Sequence, residues 1–269
     1  LIKVWMGDFV GAAEAFQQAI AIRKVTLRRH HPDVGVSYVR KGVCDFALGS
    51  FDTAVESMEK ALRCCHDESV VKAKILNNLG VMHYHRQDLI QSLKGFAGAL
   101  EIQRHSLAGP IKRESIVFDA SMTLCNMGKL FLEKGDYAAA YSVYEEGLTL
   151  QTIAFSRKSI LVMLSLGNLA YCKAKNSEPK KALQIYKRVL RLQEGMYGDE
   201  SREVMETVGV MGLLYHQIKD YKKAQAHLTR VSRWQMYFMN ARNPAVQQIK
   251  EYLKKIEGKL EEEESAVWI

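Results

Sequence analysis

The sequence predicts an all-α solenoid built from antiparallel helix pairs and closed by a C-terminal capping helix. Three observations predict it. A small residue is followed four positions later by a bulky apolar one six times, at Ala12/Phe16, Ala54/Met58, Ser92/Phe96, Ala140/Tyr144, Ala182/Tyr186 and Ala224/Leu228. Upstream of five of these pairs stands a glycine with an aromatic three or four positions after it: Gly42 with Phe46, Gly80 with Tyr84, Gly128 with Phe131, Gly167 with Tyr171 and Gly212 with Tyr215. Only 4 prolines interrupt 269 residues, of which 48% are hydrophobic and 25% charged, a balance that suits long helices and argues against disorder.

Each pattern has a packing reason. Glycine inside a helix costs about 1 kcal/mol against alanine, so repeating it marks a close approach. Helix axes about 8 to 10 Å apart leave no room for larger side chains where glycine faces alanine. The bulky residue one turn further on fills the gap between neighbouring pairs. The glycine therefore lies on the first helix of a pair and the small residue on the second. In four units they are twelve residues apart, and in the fourth complete unit fifteen, which reads as an insertion around Asn176-Ser177-Glu178-Pro179.

In chain order, residues 1–29 supply the second helix of a truncated unit, with Leu1 to Met6 left of its first. The apolar face at that end calls for a partner, and the natural protein is expected to continue upstream. Complete units span 30–66, 67–105, 106–155, 156–196 and 197–240. A capping helix follows over 243–260: Asn243 before Pro244 is a helix start, and Ala245, Ile249, Tyr252, Leu253, Ile256 and Leu260 recur on one face. Residues 261–269 read as a fraying acidic tail, because Glu261 to Glu264 oppose the helix dipole at a carboxyl end.

The glycine and small-residue motifs resemble the tetratricopeptide repeat, whose pattern includes L-G-x2-Y followed by A-x3-F. The resemblance covers roughly residues 1 to 240, and the small residues recur every 38 to 48 positions, beyond the usual length of about 34. Junctions such as His30-His31-Pro32-Asp33-Val34 and Tyr197-Gly198-Asp199-Glu200-Ser201, with Leu76-Asn77-Asn78-Leu79-Gly80, are similar to the kinesin light chain class of these repeats. That class includes many scaffold proteins that are not motor subunits.

The resemblance implies a right-handed superhelix whose first helices line a concave groove, exposing positions three before, one after and four after the glycine. These are Val39, Val43 and Phe46; Asn77, Val81 and Tyr84; Cys125, Lys129 and Leu132; Leu164, Asn168 and Tyr171; and Gly209, Leu213 and His216. Asn77, Val81, Tyr84, Lys129, Asn168, Tyr171 and His216 are the partner-binding residues it implies. Such an apolar and aromatic groove suits a peptide or helical segment of another protein, with asparagine available to its backbone. Val39, Val43, Leu164 and Leu213 equally fit packing between adjacent first helices. Family members that grip a carboxylate end use lysine and asparagine three before and one after the glycine. Val39 and Val43 in the first complete unit, and Asn77 and Val81 in the second, do not match that clamp.

Nothing in the sequence carries catalysis or a cofactor. It has no P-loop and no G-x-G-x-x-G, and the order of its Ser, Cys and His residues suggests no nucleophile with its base. Cys64-Cys65-His66 and His83-Tyr84-His85 are poor metal sites, since alternate positions on a helix point to different sides. Cys44, Cys64, Cys65, Cys125 and Cys172 form no CxxC pair and are odd in number, as expected of reduced thiols in the cytoplasm or another reducing compartment. The apolar run Ile160 to Ala170 is too short for the roughly 20 residues a membrane span needs.

Net charge is +8, and basic residues gather at Arg23 to His31, Lys180 to Arg191 and Lys222 to Arg233, on second helices and the turns after them. A solvated outer face explains these. An acidic partner or RNA, with the chain as a subunit of a larger assembly, is the alternative. The connection His105 to Glu114, with Gly109-Pro110 and Arg104, Lys112 and Arg113, is the longest junction, and long ordered connections often carry function.

Overall fold

The computed structural model describes residues 2–65, 69–109, 114–155, 159–239 and 243–266. Among these residues the chain forms thirteen helices and no strand. They are α1 (Ile2–Trp5), α2 (Phe9–Leu27), α3 (Pro32–Ala47), α4 (Phe51–Leu62), α5 (Val70–His85), α6 (Leu89–Ala108), α7 (Glu114–Glu133), α8 (Tyr137–Ala154), α9 (Ile160–Lys175), α10 (Pro179–Tyr197), α11 (Arg202–Gln217), α12 (Tyr221–Phe238) and α13 (Pro244–Ala266). Odd-numbered helices up to α11 are the first of a pair, and the even-numbered helix after each is the second.

One turn joins every pair. Its three residues are 6–8, 48–50, 86–88, 134–136, 176–178 and 218–220, and the middle one is left-handed each time: Gly7 (φ 77°), Gly49 (76°), Gln87 (62°), Gly135 (73°), Ser177 (59°) and Lys219 (63°). The third residue sends its N–H back five positions, as in Ser50 to the Asp45 carbonyl, Asp88 to His83 and Asp220 to Tyr215, each at 2.9 Å. In three of the turns it is an aspartate that also caps the next helix: Asp8, Asp88 and Asp220 accept from the N–H groups of Gly11, Gln91 and Lys223 at 2.8, 3.1 and 3.2 Å.

This shared turn corrects the sequence reading of the fourth complete unit. Asn176 to Glu178 is no insertion, because Ser177 takes the same left-handed place and Glu178 N–H bonds Lys173 at 2.9 Å as its counterparts do. Counting back from the turn, the position held by Gly42, Gly80, Gly128 and Gly212 belongs here to Ala170, which is fully buried. Gly167 lies one helical turn earlier, with nothing within 4 Å of where a side chain would go. Alanine fits at that crossing, whereas at the α5–α6 crossing Gly80 and Gly95 leave no room for a side chain.

The chain divides into two compact units, Leu1–Asp136 with Thr149–Ala154, and Tyr137–Leu148 with Phe155–Ile269. In the first, Ile20, Val34, Tyr38, Met58, Ile75, Leu79 and Met82 form a continuous core. Its tightest crossing is α5 on α6. A side chain on Gly95 would come within 2.8 Å of the Leu76 carbonyl oxygen and the Gly80 nitrogen, and one on Gly80 within 2.6 Å of the Phe96 ring. Buried Ser92 adds a bond, its hydroxyl donating to the Gly80 carbonyl at 2.8 Å. All six small residues of the repeat are buried, and so are their bulky partners except half-buried Phe16.

In the second unit Met211, Tyr215 and Leu228 pack with Ile256 of α13, and Ile249, Tyr252, Leu253 and Leu260 join from the same face. Asn243 starts α13 by accepting the Ala245 N–H at 3.0 Å. The helix continues through the glutamates to Ala266 instead of giving way to a tail at 261. Glutamate is a good helix former, and the Lys259–Glu262 ion pair at 2.7 Å bridges one turn of it. Residues 267–269 of the expected tail lie outside the described residues, as do His66 and Pro110 to Arg113 of the long connection.

Candidate functional site

The repeat fixes which first-helix residues are equivalent, so the exposed face can be read from the close-approach position. One residue after it stand Val43, Val81, Lys129, Tyr171 and Leu213. Val43 (43%), Tyr171 (41%) and Leu213 (42%) are exposed apolar groups, Lys129 is exposed, and Val81 is half-buried. The corrected register moves Tyr171 from four after to one after. It puts Gly167 three before and Ala174 four after, so half-buried Asn168 is two before and Leu164 six before.

In the first unit the polar candidates on α5 are taken up between adjacent first helices. Asn77 accepts from Asn126 at 3.2 Å, and Lys74 pairs with Asp119 at 3.1 Å, both joining α5 to α7. Tyr84 donates its hydroxyl to Glu133 at the end of α7. Burial first, and then the Glu133 carboxylate, push the Tyr84 phenol up to about 12. Phe46 lies edge-on to His85 at 5.0 Å and to Phe51 at 5.4 Å, and Val39 packs on the core. Beside Asn77 a pocket of about 240 Å³ holds Lys74, Gln103 and Asp119, and the buried Gln103 carbonyl oxygen has no hydrogen bond among the described residues. That oxygen can accept from a donor entering the pocket.

In the second unit the first helices keep apolar side chains exposed: Ile160, Leu164 and Tyr171 on α9, and Val210 and Leu213 on α11. Lys175 sits 5.5 Å from the Tyr171 ring. His216 is half-buried, edge-on to Tyr221 at 5.7 Å and to Tyr252 of α13 at 6.2 Å. Of the seven residues that the resemblance implies, Val81, Lys129 and Tyr171 therefore share one repeat position. Asn77, Tyr84 and His216 are occupied within the chain, and Asn168 falls off the register.

The remaining chemistry is quiet. Cys44, Cys64, Cys65, Cys125 and Cys172 form no disulfide among the described residues. Burial raises the thiols of Cys44, Cys64 and Cys65 and carries Cys172 to about 11, which keeps them protonated and poorly nucleophilic. His85 stacks on Phe51 while His83 turns toward Asp88. Among the described residues no three His, Cys, Asp or Glu side chains gather to hold a metal, and no helix is long and apolar enough to cross a membrane.

The basic runs fall on second helices, and not all of their charge is free. Arg23 donates to Ser37 Oγ at 2.6 Å and to the Asp33 carbonyl at 3.0 Å, so it braces α3. On α12 the run Lys222 to Arg233 borders a cleft of about 780 Å³ that also takes in Trp234, Tyr237 and Phe238. Sequence reasoning counted these basic residues and passed over the aromatics. Their signal was three rings within five positions directly after the basic run.

Two tetratricopeptide-repeat family models match the chain, over residues 123–152 and 159–233. No curated protein matches the sequence. Among solved structures, BtubC (BKLC) from P. vanneervenii is 16% identical with a TM-score of 0.60, over 78% of this chain and 81% of that one. TPR-like repeats from Podosopora anserina, assigned to a kinesin light chain, are 15% identical with a TM-score of 0.64, over 77% of this chain and 98% of that one. YrrB, described as a TPR protein with an unusual peptide-binding site, is 14% identical with a TM-score of 0.58, over 89% of this chain and all of that one (100%).

Proposed function

The chain is a tetratricopeptide-repeat protein, and from that premise we propose that it is a non-catalytic scaffold holding a peptide or helical segment of another protein on its first helices. One observation carries this reading. The position after the close-approach residue is exposed and apolar in three of five repeats, at Val43, Tyr171 and Leu213. Nothing in the packing of the pairs requires an apolar group there. A partner's apolar side chains gain by covering such groups in either unit. Val81 and Lys129 complete the position, while Asn77, Tyr84 and His216 shape the face by holding its helices. The peptide-binding site described for YrrB is in keeping with this use of the fold.

A photo-reactive side chain placed at 43, 171 or 213 in the full chain tests the reading. Each should cross-link the same partner, and V43E/Y171E/L213E should lose capture by more than about tenfold while the helical melt is unchanged. Cross-links confined to second helices would contradict it. A second reading, a subunit docking through its basic second helices, is favoured by the cleft on α12.

A further inference from the structure

We propose that the cleft on α12 binds a short acidic segment of a partner protein, anchored by an aliphatic side chain. This deepens the second reading and is independent of the first-helix face. The cleft lies between α12 and the start of α11, and its apolar lining is Met205, Ala226, Trp234 and Phe238. Two bonds hold that lining in place. The Trp234 indole N–H donates to the Glu200 carbonyl at 2.7 Å, and Arg230 donates to the Asp199 carbonyl at 2.7 Å. The turn before α11 is thus tied to α12, so the cleft is built before anything enters it.

One wall is aromatic and uncovered. Phe238 packs 4.9 Å from both Trp234 and Tyr237, yet it is 60% exposed and Tyr237 is 84% exposed. Large rings left in water beside a formed cleft are the usual anchors of an interface.

The charge selects the occupant. Arg230 is held 3.6 Å from Glu194, and nearby Lys223 is paired with Asp220 at 2.6 Å. Lys222 and Arg233 line the cleft, are exposed, and have no ion pair among the described residues, and Glu200 is the carboxylate residue against them. An anionic ligand is therefore attracted. Two unengaged cations are few for a nucleic acid, which is held by neutralising many phosphates. The rings are packed on one another instead of being spaced to take successive bases. An acidic peptide uses both the cations and the apolar lining.

Fluorescence anisotropy on the full chain, with a labelled glutamate-rich peptide carrying a central leucine, tests this. Saturable binding is expected, weakened about tenfold or more in K222E/R233E and in Y237A/F238A. All four side chains are exposed, so the helical melt should not move. As a control on folding, K222E/R233E should gain affinity for the matching lysine-rich peptide. The proposal is overturned by no saturable binding, by binding that both variants retain, or by tighter binding of a single-stranded oligonucleotide than of the peptide. Self-association that K222E/R233E abolishes would assign the cleft to a second copy and overturn it too. Loss of peptide binding in V43E/Y171E/L213E, with K222E/R233E unaffected, would place the peptide on the first helices and overturn this site alone.

Discussion

Helices α5 and α9 hold the same place in their repeats and are built in opposite ways. In α5 the close-approach residue is Gly80, wedged against Phe96 and Gly95, and the polar side chains around it reach across to α7. In α9 that place is taken by Ala170, the helix's one glycine faces open space, and Leu164 and Tyr171 are left uncovered. One fold tolerates both because the opposing residue sets the demand. Gly80 meets a second glycine, Gly95, and backbone lies against backbone there, whereas the α9–α10 crossing accommodates the buried methyl group of Ala170.

The largest effect that can break this contrast is expected from Gly95→Ala. The added carbon would strike the Leu76 carbonyl and the Gly80 backbone, neither of which can rotate away. A loss of about 3 kcal/mol is expected in denaturant unfolding, at the upper end for overpacking. An unchanged midpoint would show that α5 and α6 are not locked as described.

Much of the fold was legible in the sequence because the repeat is enforced by sterics. Ala54, Ser92, Ala182 and Ala224 had to be small, and Met58, Phe96, Tyr186 and Leu228 had to fill space, so both sets were visible as spacing. The register of α9 was not legible. Gly167 mimics the pattern by its letter alone, and only the left-handed turn at Ser177 shows that Ala170 holds the place. The end of α13 was misjudged because a dipole argument was set against four glutamates whose propensity favours helix. At the candidate site the spacing puts Val81 and Lys129 one residue after the close-approach glycine, and the turns keep them at that repeat position. It could not show that Asn77 and Tyr84 were engaged, because their partners Asn126 and Glu133 lie 49 residues away in sequence.

A moderate effect should separate the repeat of α5 from that of α9 by pH. The Tyr84 phenol is raised to about 12 by burial and Glu133, and that of Tyr186 to about 12 by burial. A raised value favours the neutral phenol in the folded state. Its contribution is therefore complete below the ordinary value of about 10 and is lost as pH climbs from there through about 12. Tyr84→Phe should cost about 1 kcal/mol near neutral pH and flatten part of that alkaline loss, leaving the share from Tyr186. An alkaline unfolding curve identical to wild type would show that the hydroxyl is not held by Glu133.

The smallest effects are gains, and they bear on what the repeat leaves unoptimised. Gly167→Ala adds a methyl group into open space within a helix, so the gain in helix propensity is opposed by no contact. Gln87→Gly and Ser177→Gly act from the other side: both residues adopt the left-handed conformation that Gly49 and Gly135 reach without strain in equivalent turns. Each change should stabilise by about 0.5 to 1 kcal/mol in denaturant unfolding, and additively, since positions 167 and 87 lie in different units. A loss on Gly167→Ala would mean that the space beside it is filled in solution. That would place an occupant against α9, on the surface where Leu164 and Tyr171 are exposed.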